Sequence, residues 1–218
     1  MTYSIIDTGN SRSFPAGHPL LDGKSDDGEL VILIGEKAGD ALPTVGNSDG
    51  KAAILIELGT ECLGVYTGES RAGEGSNILG FARFRLGDGD PSNLVELVRQ
   101  PNTAASAVDA ARAVLEGAGL KVAVCLDFAG RIINRLVRPY YNAALRRLDE
   151  GLATADDMDL TLKLGLGYPE GPIALLERTG LAHHFDVTQA LFEAYGESPY
   201  APARRARVAK ARAQKKAG

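Results

Sequence analysis

The chain has 218 residues, 44% of them hydrophobic and 24% charged, with a formal net charge of -4 at pH 7. That balance supports a buried core and excludes a disordered protein. With no apolar run of about 18 residues, a helical membrane span is excluded too. The length suits one large domain or two modest ones.

Met1-Thr2-Tyr3-Ser4 has no basic segment leading into an apolar stretch, so no secretory leader is expected. Cys62 and Cys125 lie far apart in apolar surroundings, which predicts two buried, reduced thiols in a cytoplasmic protein rather than a disulfide.

Residues 1–27 contain one short β-like run, Tyr3-Ser4-Ile5-Ile6, and are otherwise rich in Gly, Ser, Pro and Asp, which predicts loop. Leu30-Val31-Ile32-Leu33-Ile34 is continuously apolar up to Gly35, and residues 52–58 read the same way. Both predict strands covered on two faces. Two more strands are expected over 78–84 and 94–98, separated by a Gly/Asp turn. An Ala-rich helix over 103–116 turns Val108, Ala111, Val114 and Leu115 inward and is stopped by Gly117 and Gly119. A last strand covers 121–125, which completes an α/β layer with a mainly parallel sheet.

After Asp127 the pattern is helical. A long helix over 130–148 carries Ile133, Val137, Ala144 and Leu148 on one face, with Ile132, Leu136 and Tyr140 beside them, and should bend at Pro139. Thr154 followed by Asp157 starts a second helix. Pro172 and Gly180 bracket a third. Leu181 to Tyr195 forms a fourth that ends at Gly196. From Arg204 to Lys216 there are seven basic residues and no acidic one. A free basic arm would suit the phosphates of nucleic acid or of a CoA nucleotide. The plainer reading is a frayed, solvated, Ala-rich helix, and the acidic body argues against nucleic acid as a partner.

Two stretches hold most of the functional information. They are Asp127-Phe128-Ala129-Gly130-Arg131-Ile132-Ile133-Asn134-Arg135-Leu136 and Leu164-Gly165-Leu166-Gly167-Tyr168-Pro169-Glu170-Gly171-Pro172. Together they resemble the C-terminal domain of the 3-hydroxyacyl-CoA dehydrogenase family. The resemblance covers 127–181, extends more loosely over 29–126 and leaves out residues 1–27. It implies a shortened Rossmann-like parallel-sheet domain over 1–126. An all-α domain over 127–218, ending in the basic tail, would follow.

Hydride chemistry on a hydroxyacyl thioester needs a Gly-rich helix N-terminus for the pyrophosphate. It also needs a base, usually a His held by a carboxylate, and donors for the ketone oxygen. No Gly-x-Gly-x-x-Gly follows a strand in residues 1–126. Gly35-Glu36-Lys37-Ala38-Gly39 and Gly73-Glu74-Gly75 read as ordinary turns. Glu29 to Leu33 looks like the strand after the first mononucleotide half, so the chain is expected to begin where that half is finished. The family's His would fall in Gly80-Phe81-Ala82-Arg83-Phe84, at Ala82 or Phe84, and its partner carboxylate matches Glu96.

The three histidines lie elsewhere. His18 sits in a Pro/Gly loop. His183 and His184 are neighbours on the fourth helix, about 100° apart, and read as surface residues that cannot share a metal. No metal site is expected. Thr60 is the candidate hydroxyl donor, although Glu61 stands opposite the family's Ser and would repel an oxyanion. Asn134 matches the family's substrate-binding Asn, with a backbone-bonding structural role as the alternative.

Three functions remain open. The preferred one is a degenerate family member of acyl-CoA metabolism that binds an acyl-CoA or a sister subunit without hydride transfer. The others are a working enzyme, which would use NAD, and a dimerising scaffold without ligand. The resemblance implies a homodimer through the helical faces, which short helices in a small domain would favour.

Overall fold

The computed structural model describes residues 1–69 and 77–217; the Gly73-Glu74-Gly75 turn lies outside the described residues. The chain divides into two compact units. One comprises Met1–Arg85 with Pro91–Arg131, the other Leu86–Asp90 with Ile132–Gly218.

The first unit is built on a six-stranded sheet in sequence order: β1 (Tyr3–Asp7), β2 (Leu30–Ile34), β3 (Ala53–Glu57), β4 (Ile78–Arg83), β5 (Leu94–Arg99) and β6 (Lys121–Leu126). β1 to β4 run parallel, β5 pairs antiparallel with β4, and β6 is parallel to β5. Tyr3 aligns with Leu30, so the β-like run at the start of the chain is an edge strand. Residues 8–29, with the single-turn α1 (Pro19–Asp22), connect β1 to β2.

Alternate residues of the strands enter two cores. Leu30, Ile32, Leu55, Leu79, Phe81 and Leu97 face α3 (Ala105–Gly117), which contributes Ala107, Ala111, Val114 and Leu115. Val31, Leu33, Ile54, Ile56 and Val98 pack against Ala38, Leu58 and Leu63 on the opposite face. Coverage on both faces accounts for the uninterrupted apolar runs. Each buried aliphatic side chain contributes roughly 1.5–3 kcal/mol. α2 (Gly64–Thr67) starts on Asp127, whose carboxylate accepts the Leu63 and Gly64 amides at 2.7 and 2.8 Å.

The second unit contains α4 (Ile133–Asp149), α5 (Ala155–Leu166), α6 (Pro172–Thr179), α7 (Leu181–Tyr195) and α8 (Arg204–Ala217). The Thr154 hydroxyl accepts the Asp157 amide at 3.1 Å to open α5. Tyr141, Ala144, Leu145, Ile173, Leu176 and Ala203 form its core.

Two expectations are corrected here. The buried residues of α4 are Asn134, Arg138, Tyr141, Asn142, Ala144 and Leu145; Ala144 lies inward as expected, with Val137, Tyr140 and Leu148 packed partly buried against the core, while Leu136 is 70% exposed. A buried polar network takes the face that an apolar pattern would assign to aliphatic residues. The basic tail is a helix, exposed over residues 211–216 as expected but docked over its first half. Ala206 is fully buried, Arg205 bonds Asp149 at 2.7 Å, and Lys210 pairs with Asp186 at 2.7 Å. Among the described residues, no helix is long and apolar enough to cross a membrane.

Candidate functional site

In the sheet unit the antiparallel register sets Ala82 directly opposite Glu96. Side chains so paired lie about 5 Å apart, so residue 82 is the one that would address the Glu96 carboxylate. Phe84 lies beyond the end of β4. Glu96 is 2% exposed, and the guanidinium of Arg131, itself buried, reaches it: Arg131 Nε lies 3.4 Å from Glu96 Oε2. Arg131 Nη2 donates to the Gly59 carbonyl at 2.5 Å, and the Gly130 amide donates to the Thr60 carbonyl at 2.9 Å. Arg131 Nη1 is buried with no hydrogen-bond partner among the described residues.

The Arg131 backbone sits at φ 54, a left-handed conformation that a non-glycine residue adopts only when its surroundings impose it. Glu96 and the Gly59 carbonyl are thus met by Arg131, and Thr60 is tied by its backbone oxygen to the neighbouring Gly130. Arg131 belongs to the first functional stretch, yet its role was missed in the sequence. The available signal was a lone cation between Gly130 and an apolar pair, in a segment that enters a helix.

At the carboxyl ends of β1 to β3 lies a cavity of about 550 Å³ lined by Asn10, Arg12, Glu36, Glu57, Glu61 and Tyr66, among others. Open α/β sheets bind their ligands at such strand ends. The turn after β2 is closed on itself. Gly35 N–H donates to Glu57 Oε2 at 2.7 Å, Glu36 N–H to the Gly9 carbonyl at 2.8 Å, and Lys37 N–H to Thr8 Oγ1 at 3.1 Å. A side chain on Gly39 would run into the Tyr66 ring.

Glu57 also accepts the Ser11 hydroxyl at 2.7 Å and the Ser13 amide at 2.6 Å. Glu61 takes the Gly59 amide at 2.9 Å and the Tyr66 hydroxyl at 3.3 Å. Burial, then the Glu61 charge, pushes the Tyr66 phenol up to about 12.

Asn134 belongs to the helical unit. Its Oδ1 accepts from Arg138 Nε at 2.9 Å, and Arg138 Nη1 lies 2.9 Å from His184 Nδ1. A guanidinium only donates, so Nδ1 is the acceptor and Nε2–H donates to Asn142 Oδ1 at 3.0 Å. Asn142 in turn donates to the Pro199 and Tyr200 carbonyls and accepts the Ala203 amide. Burial, then Arg138, lowers the His184 pKa to about 3.

This network corrects the surface reading of His184, which is 1% exposed. The 100° between neighbours on a helix turns one ring inward and one outward. His183 is the outward one, 3.3 Å from Asp88. Among the described residues no cluster of three or more His, Cys, Asp or Glu is arranged for a metal. Cys62 and Cys125 are free and half-buried.

A mainly parallel sheet with a cavity at its strand ends, followed by a helical unit, defines a Rossmann-like protein with an all-α C-terminal domain. Residues 130–218 match the family described as 3-hydroxyacyl-CoA dehydrogenase, C-terminal domain. A 3-hydroxybutyryl-CoA dehydrogenase of Bradyrhizobium diazoefficiens is 35% identical over 109 residues, covering 50% of this chain and 37% of that relative. The mitochondrial hydroxyacyl-coenzyme A dehydrogenase of Sus scrofa is 36% identical over 104 residues, 48% of this chain and 32% of its own. The crystal structure of (S)-3-hydroxybutyryl-CoA dehydrogenase from Ralstonia eutropha matches with a TM-score of 0.70 and 26% identity over 85% of this chain and 66% of that one. The chain thus matches about a third of the length of these curated relatives.

Proposed function

We propose that this protein binds an acyl-CoA thioester, in the manner of its family's acyl-CoA metabolism, without carrying out hydride transfer. The observation that carries the reading is the Arg131–Glu96 pair. Glu96 is the carboxylate that would orient and charge-stabilise an imidazole base, but here it faces the methyl group of Ala82 and is matched by a fixed guanidinium. An arginine remains protonated at all physiological pH values and cannot accept a proton from a hydroxyl.

The residues present do not fit a dinucleotide. A pyrophosphate is held by unengaged backbone amides, and those of Gly35, Glu36 and Lys37 are each taken by an acceptor of the protein itself. The neighbouring cavity offers Glu36, Glu57 and Glu61 against the single guanidinium of Arg12, which repels two phosphates.

Asn134 and Thr60 are the residues that the resemblance assigns to substrate binding, and Glu96 is the proposed remnant of a catalytic pair. The boundary assigned at residue 127 separates a shortened sheet domain from the domain that carries dimerisation. Leu136, Leu160 and Leu164 are exposed on the helical unit, which supports a homodimer through that unit. Two free cysteines support a cytoplasmic setting.

The test is a thermal-shift titration with acetoacetyl-CoA beside an NADH-oxidation assay. The reading expects a saturable rise in melting temperature, because only a ligand of the folded state stabilises it, and no turnover. Turnover contradicts it, and a flat titration leaves the scaffold reading in its place.

A further inference from the structure

The helical unit contains a cavity of its own, of about 290 Å³, lined by Val137, Tyr140 and Tyr141 of α4, Tyr168-Pro169-Glu170 between α5 and α6, and Pro172 and Leu175 of α6. Its wall is held open by fixed parts. Asp159 of α5 accepts the Ile173 and Ala174 amides at 2.9 and 2.8 Å, and a Cβ on Gly171 would lie 2.1 Å from the Asp159 carboxyl carbon. Glu170 is locked to Arg178 by hydrogen bonds of 3.0 and 2.6 Å, so its charge is already matched. Tyr168 meets Tyr140 edge-on, with ring centroids 6.1 Å apart at 89°. Such a frame does not collapse onto the hollow between its walls.

One group in that wall is unfinished. The Tyr140 hydroxyl is buried and has no hydrogen-bond partner among the described residues. A buried donor left unpaired is rare and points to an acceptor that arrives from outside. Burial, then Tyr168, pushes this phenol up to about 12, so it remains a donor throughout the physiological range.

We propose that this cavity is a binding site for an uncharged, largely apolar molecule, about two fused rings in size, whose single carbonyl or ether oxygen takes the Tyr140 hydroxyl. The size follows from volume. An apolar cavity of about 150 Å³ holds benzene, so 290 Å³ holds about ten to twelve heavy atoms. The aromatic and proline lining selects flat apolar ligands. A formal charge would lose its hydration against such walls without finding a free counter-ion. The site involves neither Glu96 nor Arg131 and stands independently of the acyl-CoA reading.

The probes are 1-indanone and indane, which share a shape and differ by one carbonyl. They would be titrated into the full chain carrying 13C-labelled tyrosine and followed by NMR. The expected result is saturable binding with shifts at Tyr140 and Tyr168, and 1-indanone binding about three- to tenfold more tightly than indane. Tyr140→Phe should bring the two affinities together, and Leu175→Trp should fill the cavity and abolish both. The wild-type comparison decides even where a variant fails to fold. Equal affinities, a preference that survives Tyr140→Phe, or no saturable shift because water alone occupies the cavity would each overturn the proposal.

Discussion

At the scale of single residues, Arg131 and Glu96 depend on each other. Removing one charge from a buried pair strands the other, which costs about 3–5 kcal/mol, whereas neutralising both is often close to neutral. Arg131→Met should therefore destabilise the fold by about that amount, and Arg131→Met with Glu96→Gln should recover most of it, as read from urea midpoints. Additive losses in the double variant would show that the two charges do not sense each other.

His184 gives the second residue-level prediction. Its folded pKa of about 3 lies below the ordinary value of 6.5. Between these two pH values the unfolded chain binds a proton that the folded chain refuses, so stability falls as pH drops through 6.5 and levels off below about 3. By pH 5 the loss should be about 2 kcal/mol. His184→Gln should remove that part of the slope, as read from unfolding curves at pH 5 and pH 7, and an unchanged slope would place the titration elsewhere.

Among the elements, legibility tracked how side chains are covered. Strands buried on both faces show as apolar runs, so β2 and β3 were plain, and α7 was bounded by Gly180 and Gly196. α4 was visible as a helix, but its inward face was not. Asn134, Arg138 and Asn142 gain burial from His184 and from the chain around Tyr200, contacts that periodicity cannot display. At the candidate site Glu96 was named from the resemblance, but the guanidinium that meets it arrives from a segment about thirty-five residues away, by a backbone turn with φ 54. α8 shows the same limit, since its charges advertised a solvated tail and its alanines supplied the contact. Ala206→Leu should overpack that contact and cost about 1–3 kcal/mol, whereas Val208→Ala on the exposed side should change stability by less than about 0.5 kcal/mol. Equal effects in a thermal melt would mean that α8 is not docked as described.

For the whole molecule, the proposed reading is of a dehydrogenase-like fold around an altered centre. The fold resembles that of a solved 3-hydroxybutyryl-CoA dehydrogenase, the amide of Gly35 after β2 is bonded to Glu57, and Ala82 stands opposite Glu96 in the sheet. Fold alone does not decide activity; the condition of the cofactor crevice does. The most direct measurement is a fluorescence titration of NADH into the 218-residue chain, with and without acetoacetyl-CoA. The account predicts no saturable enhancement at micromolar to submillimolar NADH in either case. Stoichiometric, saturable NADH binding would contradict it.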